Sequence, residues 1–165
     1  MAKLEKIEFL DFGPCRVIGK AIRTAGMGEA VNPIPALWKR CFSDGSLERL
    51  FGMQAYLTDV RCPIGFMDEP GEQDFRYIVG LYMRPDTPVP EGYAFRDIPA
   101  LRIARSTVCG QENEVYAEAH DKTIQAIEQN GGRIRYPDQY FSAEVYVSEP
   151  GDPEHFVLQY DMTIV

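Results

Sequence analysis

The sequence predicts an α+β fold built from two similar βαββ halves, and two observations carry that prediction. The order strand, helix, strand, strand occurs twice along the 165 residues. Each helix is followed by two strands in succession, which pair as antiparallel hairpins, and helices laid on one face of such strands define the α+β class. A duplicated unit implies pseudo-two-fold symmetry: an antiparallel sheet, two main helices and a central groove, a natural place for a ligand.

In the first half, Arg16-Val-Ile-Gly-Lys-Ala-Ile-Arg23 is short, β-branched and bounded by Gly13-Pro14 and by Gly26 to Gly28, which predicts a strand. The period then changes. Ile34, Leu37, Trp38, Cys41 and Phe42 fall at i, i+3, i+4, i+7 and i+8, one face of a helix, with Asn32 as N-cap and Pro33 opening the first turn. Asp44-Gly45 ends or interrupts this helix, and Leu47 to Phe51 add a turn. Gln54 to Arg61, carrying Tyr56, Leu57, Thr58 and Val60, is expected as the next strand. After a turn at 68–71, Phe75 to Met83 is the strongest strand signal in the chain. Pro85, Pro88 and Pro90 make 84–92 an extended connector.

The order then repeats. Ala100 to Val108 alternates as a strand, and Glu112 to Asn130 is expected as a helix with Tyr116, His120, Ile124 and Ile127 on its inner stripe. Asn130-Gly131-Gly132 stops it. Tyr140 to Ser148 and His155 to Val165 are two more strands, joined by a turn over Glu149 to Pro153. The length suits one domain over 1–165, with halves at 15–83 and 100–165, because domains run to about 100–200 residues.

Composition narrows the function. No apolar run approaches the ~20 residues that span a bilayer, and the opening residues lack the apolar core of a signal peptide, so no membrane partner and a cytoplasmic location are expected. Cys15, Cys41, Cys62 and Cys109 are widely spaced, which predicts free thiols rather than a disulfide framework. His120 and His155 are too isolated for a metal motif, and no cofactor is expected. With 25 acidic against 17 basic residues and a net charge of −8, the chain has no basic run with which to neutralise phosphates, so no direct nucleic-acid binding is expected. Nucleophile-elbow, Walker, dinucleotide and zinc-protease motifs are absent from the sequence.

Alternation splits the strand predicted near Tyr140. Phe141, Ala143, Val145 and Val147 point one way, and Tyr140, Ser142, Glu144 and Tyr146 the other. The second face reads either as a polar surface meeting water or as a binding surface, with Glu144 supplying charge and Tyr140 and Tyr146 supplying ring faces. Tyr56, Tyr77 and Tyr82 lie on other predicted strands, where some could line the same groove. Trp38 lies on the apolar stripe of the first helix, where tryptophan is more often core than ligand platform.

These pieces resemble the GyrI-like small-molecule-binding domain, which is also the effector-binding part of AraC-type and multidrug-sensing regulators. The matching segments are Arg16-Val-Ile-Gly19, Ile34-Pro-Ala-Leu-Trp38 with Phe42, Tyr77-Ile-Val-Gly80-Leu, Pro90-Glu-Gly92 and Glu144-Val-Tyr146, in order from Arg16 to the C-terminus. Ala100 to Arg105 is more basic than the family's pattern, and the stretch Gly26 to Pro35 is unusual for it. The resemblance implies two βαββ units around a groove, a glutamate there (Glu144 at the matching position) that pairs with cationic aromatic ligands, and a site drawn from Tyr140, Tyr146, Trp38, Tyr56 and Tyr77. It implies stand-alone binding of a small, cationic or aromatic amphipathic molecule, in a sensor or sequestering role. Two alternatives stay open. One is hydrolysis, with Glu144 activating water and a tyrosine donating a proton. The other is inhibition of a partner protein, in the manner of the family's gyrase-inhibitor namesake.

Overall fold

The computed structural model describes residues 1–148 and 152–165. The described residues form eight strands and three α-helices. In chain order they are β1 (Lys3–Phe12), β2 (Cys15–Thr24), α1 (Ile34–Ser43), α2 (Ser46–Gly52), β3 (Ile64–Asp68), β4 (Phe75–Met83), β5 (Ala94–Ile98), β6 (Leu101–Gly110), α3 (Glu112–Gln129), β7 (Ser142–Val145) and β8 (Phe156–Ile164). They divide between two compact units: a first of Met1–Phe12 with Ala100–Val165, and a second of Gly13–Pro99.

In the second unit the antiparallel strands lie in the order β3-β4-β2-β5. In the first they lie in the matching order β7-β8-β6-β1. The α+β class and the repeated βαββ order therefore hold, and the registers match as well. Gly65 faces Val79, which faces Lys20, across β3, β4 and β2. Glu144 faces Tyr160, which faces Ser106, across β7, β8 and β6.

Each unit also has a fourth strand that the pattern reading does not predict. β1 precedes β2 in sequence yet pairs with β6, and β5 precedes β6 yet pairs with β2. Both are rich in charge because an edge strand buries little: Lys3, Glu5, Lys6 and Glu8 leave β1 without a clean alternation, and Arg96 and Asp97 sit in five-residue β5. Those charges are used. Arg16 Nε lies 2.6 Å from Asp97 Oδ1, and Arg96 Nη1 lies 3.2 Å from buried Asp68.

Three other expectations need correction. Residues 54–61 are turn and coil with one isolated bridge, Tyr56 to Met83, and the strand begins after Pro63, at Ile64. Gln54 takes a positive φ of 53° there, which an extended strand excludes. The strand predicted over 140–148 narrows to Ser142–Val145, and its following turn falls partly on 149–151, outside the described residues. On α3 the buried stripe is Val115, Ala119, Thr123, Ala126 and Ile127, so Ile127 is buried as expected while Tyr116, His120 and Ile124 lie one position round from it. Tyr116 is 39% exposed, because small Ala119 and β-branched Val115 and Thr123 let the helix pack closer to the sheet than a tyrosine stripe would.

The remaining elements follow their local chemistry. Asn32 Oδ1 accepts from the Ile34 amide at 3.1 Å, capping α1 one residue outside its Pro33 N-cap position. Gly45, at φ 79°, parts α1 from α2. Gly19 and Gly80 are direct cross-strand partners, and a methyl on either would strike a backbone carbonyl oxygen, Val79's or Ile18's. The four cysteines are thiols outside any disulfide, Cys15 and Cys41 buried, Cys62 and Cys109 half-buried. No described helix is long and apolar enough to cross a membrane.

Candidate ligand-binding site

Strand β7 is four residues long, with Ala143 and Val145 wholly buried on one face. The pleat turns Ser142 and Glu144 to the other face. Ser142 is buried and Glu144 half-buried, directly across the ladder from Tyr160 of β8. Side chains so placed have Cβ atoms about 4.5–5.5 Å apart. Alpha-helix α3 packs on β6, β8 and β1, and Ser106 of β6 bonds Thr123 of α3 at 2.7 Å, so this is the helix side of the strands.

Beside Glu144 three rings gather. Tyr116 lies 5.2 Å from Phe156 and 6.3 Å from Tyr146, and Tyr146 lies 6.5 Å from Phe156, all between ring centroids and all tilted. Such tilted spacings are favourable for aromatic pairs. A side-chain hydrogen bond links Tyr116 to Tyr146, and the Tyr116 hydroxyl donates to Glu112 Oε1 at 3.3 Å. Burial pushes the Tyr116 hydroxyl well above the usual tyrosine range, and the charges of Glu112 and Glu144 push the same way. Next to this cluster an open hollow of about 520 Å³ is lined by Gln111, Glu112, Asn113, Tyr116, Pro153 and Glu154. Rings and carboxylates therefore share one surface, a combination that attracts organic cations.

Behind Glu144 runs a hydrogen-bonded chain. His120 Nδ1 lies 2.8 Å from the Tyr160 hydroxyl, which lies 3.2 Å from Ser142 Oγ, and Ser142 also bonds the Tyr140 side chain. Burial raises the Tyr160 hydroxyl strongly, with Glu144 among the charges that add to it, and it raises Tyr140 too. Tyr140 meets Tyr136 edge to face at 5.2 Å.

Of the six residues predicted from sequence, Glu144, Tyr146 and Tyr140 thus stand on one face of the first unit. The other three belong to the second unit, in two clusters. Tyr77 is 1% exposed among Leu37, Cys41, Leu47 and Val79, and Trp38 Nε1 donates to its hydroxyl at 2.8 Å. Trp38 itself is half-buried and stacks at 6.0 Å on Phe42, which is largely exposed rather than core. Tyr56 packs elsewhere, 6.1 Å from Phe51, with the Arg61 guanidinium 5.2 Å over its ring.

Tyr116, Phe156, Tyr160, His120 and Ser142 were not among the predicted site residues. A signal for part of the set exists: Glu112, Tyr116 and His120 recur every four residues, along the flank of the buried stripe. Among the described residues no group of three or more His, Cys, Asp or Glu side chains is placed to hold a metal ion.

Neither a protein-family profile nor a curated protein sequence matches the chain. Solved structures share its fold. It is similar to SAV2435 bound to tetraphenylphosphonium, at TM-score 0.75 and 12% identity over 97% of this chain and 94% of that one. An integron cassette protein from the mobile metagenome of Vibrio cholerae aligns at TM-score 0.65 and 12% identity, over 99% of both chains. EcmrR, in a cryo-EM structure of its DNA complex, aligns at TM-score 0.58 and 15% identity, over 96% of this chain and 57% of that one.

Proposed function

We propose that this protein binds small, cationic aromatic molecules on the Glu144 face of the first unit, acting as a sensor or sequestering protein of the GyrI-like kind. The observation that carries this reading is a half-buried carboxylate set across from Tyr160 and beside the Tyr116–Tyr146–Phe156 rings. A carboxylate supplies charge attraction, worth about 4 kcal/mol at 4 Å for an effective dielectric constant near 20, before desolvation. Ring faces add about 0.5–2 kcal/mol each for a cation that sits over them. Tyrosines also accept varied shapes at low entropy cost, which suits a tolerant binder. The fold shared with a protein solved bound to tetraphenylphosphonium supports the same ligand class.

The test uses two ions of nearly one shape and opposite charge. Calorimetric titration with tetraphenylphosphonium should show binding, and titration with tetraphenylborate should show little or none. Equal binding of both, or of neither, would refute the reading.

A hydrolytic activity is the second reading, and the His120–Tyr160–Ser142 chain favours it by offering a route for protons beside a carboxylate. Turnover of a neutral ester or epoxide panel, lost on Glu144→Gln, would support it.

A further inference from the structure

Resting on the binding reading above, we infer that His120 sets the selectivity of the Glu144 face: neutral, it leaves the face open to cations, and protonated, it opposes them through its bond to Tyr160. The geometry is a short contact chain. His120 and Tyr160 rings meet edge to face at 5.6 Å, joined by the 2.8 Å bond, and Tyr160 lies across the ladder from Glu144. A proton on this imidazole therefore stands one ring away from the carboxylate's strand position. There it competes with a ligand cation for the same negative charge. A protonated Nδ1 can only donate, so it holds Tyr160 Oη as acceptor while the tyrosine's own proton stays directed at Ser142, where the structure has it.

The groups around His120 leave it free to act this way. On α3 its neighbours are Asp121, which favours the proton, Tyr116 one turn before, and Glu118 and Lys122, which pair with each other at 3.2 Å. From β8 comes Tyr160, and from β7 come Ser142 and Glu144. β6 turns Ser106 toward the helix, while Arg105 pairs with Asp161 on the opposite face. β1 contributes Ile7 and Phe9, the partners of Ser106 and Ala104. Burial outweighs Asp121 and holds the imidazole below the ordinary histidine range, so it is neutral at neutral pH. Unit two offers the contrast: at the matching register Gly65 faces Val79, so it has neither the carboxylate nor the ring.

Linkage makes the inference measurable in both directions, because a cation weakened by the proton must weaken the proton equally. The chain has two histidines, His120 and His155, so their imidazole proton resonances separate readily. Saturating the wild-type protein with tetraphenylphosphonium should lower the titration midpoint of His120. The dissociation constant should rise at least about twofold as the pH falls from about 7.5 through the His120 midpoint read in the same titration. His120→Asn should flatten that profile. A His120 midpoint unmoved by saturating ligand, or the same pH profile in His120→Asn, would overturn the inference and leave the binding reading standing. Failure of the wild type to bind tetraphenylphosphonium at about pH 7.5 would overturn both.

Discussion

Glu144 lies directly across the β7–β8 ladder from Tyr160, and the matching place in the other unit is held by Gly65 across from Val79. The two units repeat their strand order and register, yet only one of them carries a carboxylate at this point. That asymmetry is what a site for a charged ligand requires.

The rings beside Glu144 should contribute separately from its charge. Tyr116→Leu and Tyr146→Leu are each expected to weaken tetraphenylphosphonium binding by about 0.5–2 kcal/mol. Calorimetry on the two variants checks this. Affinities equal to wild type in both would remove the rings from the site.

The ion pair on the opposite face is structural. Arg105 Nε and Nη2 donate to Asp161 at 2.6 and 2.8 Å, Asp161 has no exposed surface, and the Phe12 ring lies 5.9 Å from the guanidinium. Asp161→Ala strands a buried cation and should cost about 3–5 kcal/mol in urea denaturation. Replacing both partners with Met and Leu should recover most of that loss. A single variant as stable as wild type would contradict this assignment.

Gly19 and Gly80 meet across β2 and β4 with no room for side chains. Gly80→Ala should lower stability by about 1–3 kcal/mol through overpacking against backbone that has nowhere to move. Gly52, at the end of α2 with nothing within 4 Å of an added methyl, should accept alanine without loss. Thermal unfolding of the two variants decides it.

What could be read from the sequence was what local pattern determines. Phe75 to Met83 declares itself through β-branched and aromatic density, and the structure has that strand with the same ends. The face bearing Glu144 follows from strict alternation over Phe141 to Val145. Edge strands β1 and β5 do not announce themselves, because their charged residues look like loop until a partner strand is known. The ring cluster was hidden for a related reason. Helical periodicity fits a stripe through Tyr116 as well as one through Val115, and only packing against β6 and β8 selects the second. Register, likewise, is a tertiary property: nothing local in Tyr160 says that it will face Glu144 or bond His120.

The most direct test of the account is the affinity of Glu144→Gln for tetraphenylphosphonium, measured beside the wild type at neutral pH. The substitution keeps shape and hydrogen bonding and removes only the charge. The account predicts a loss of about 1.5–3 kcal/mol, the range for a contact that involves a charged group, with unfolding stability nearly unchanged because Glu144 is only half-buried. Equal affinity in the two proteins would contradict it and return Glu144 to the role of a solvated strand residue.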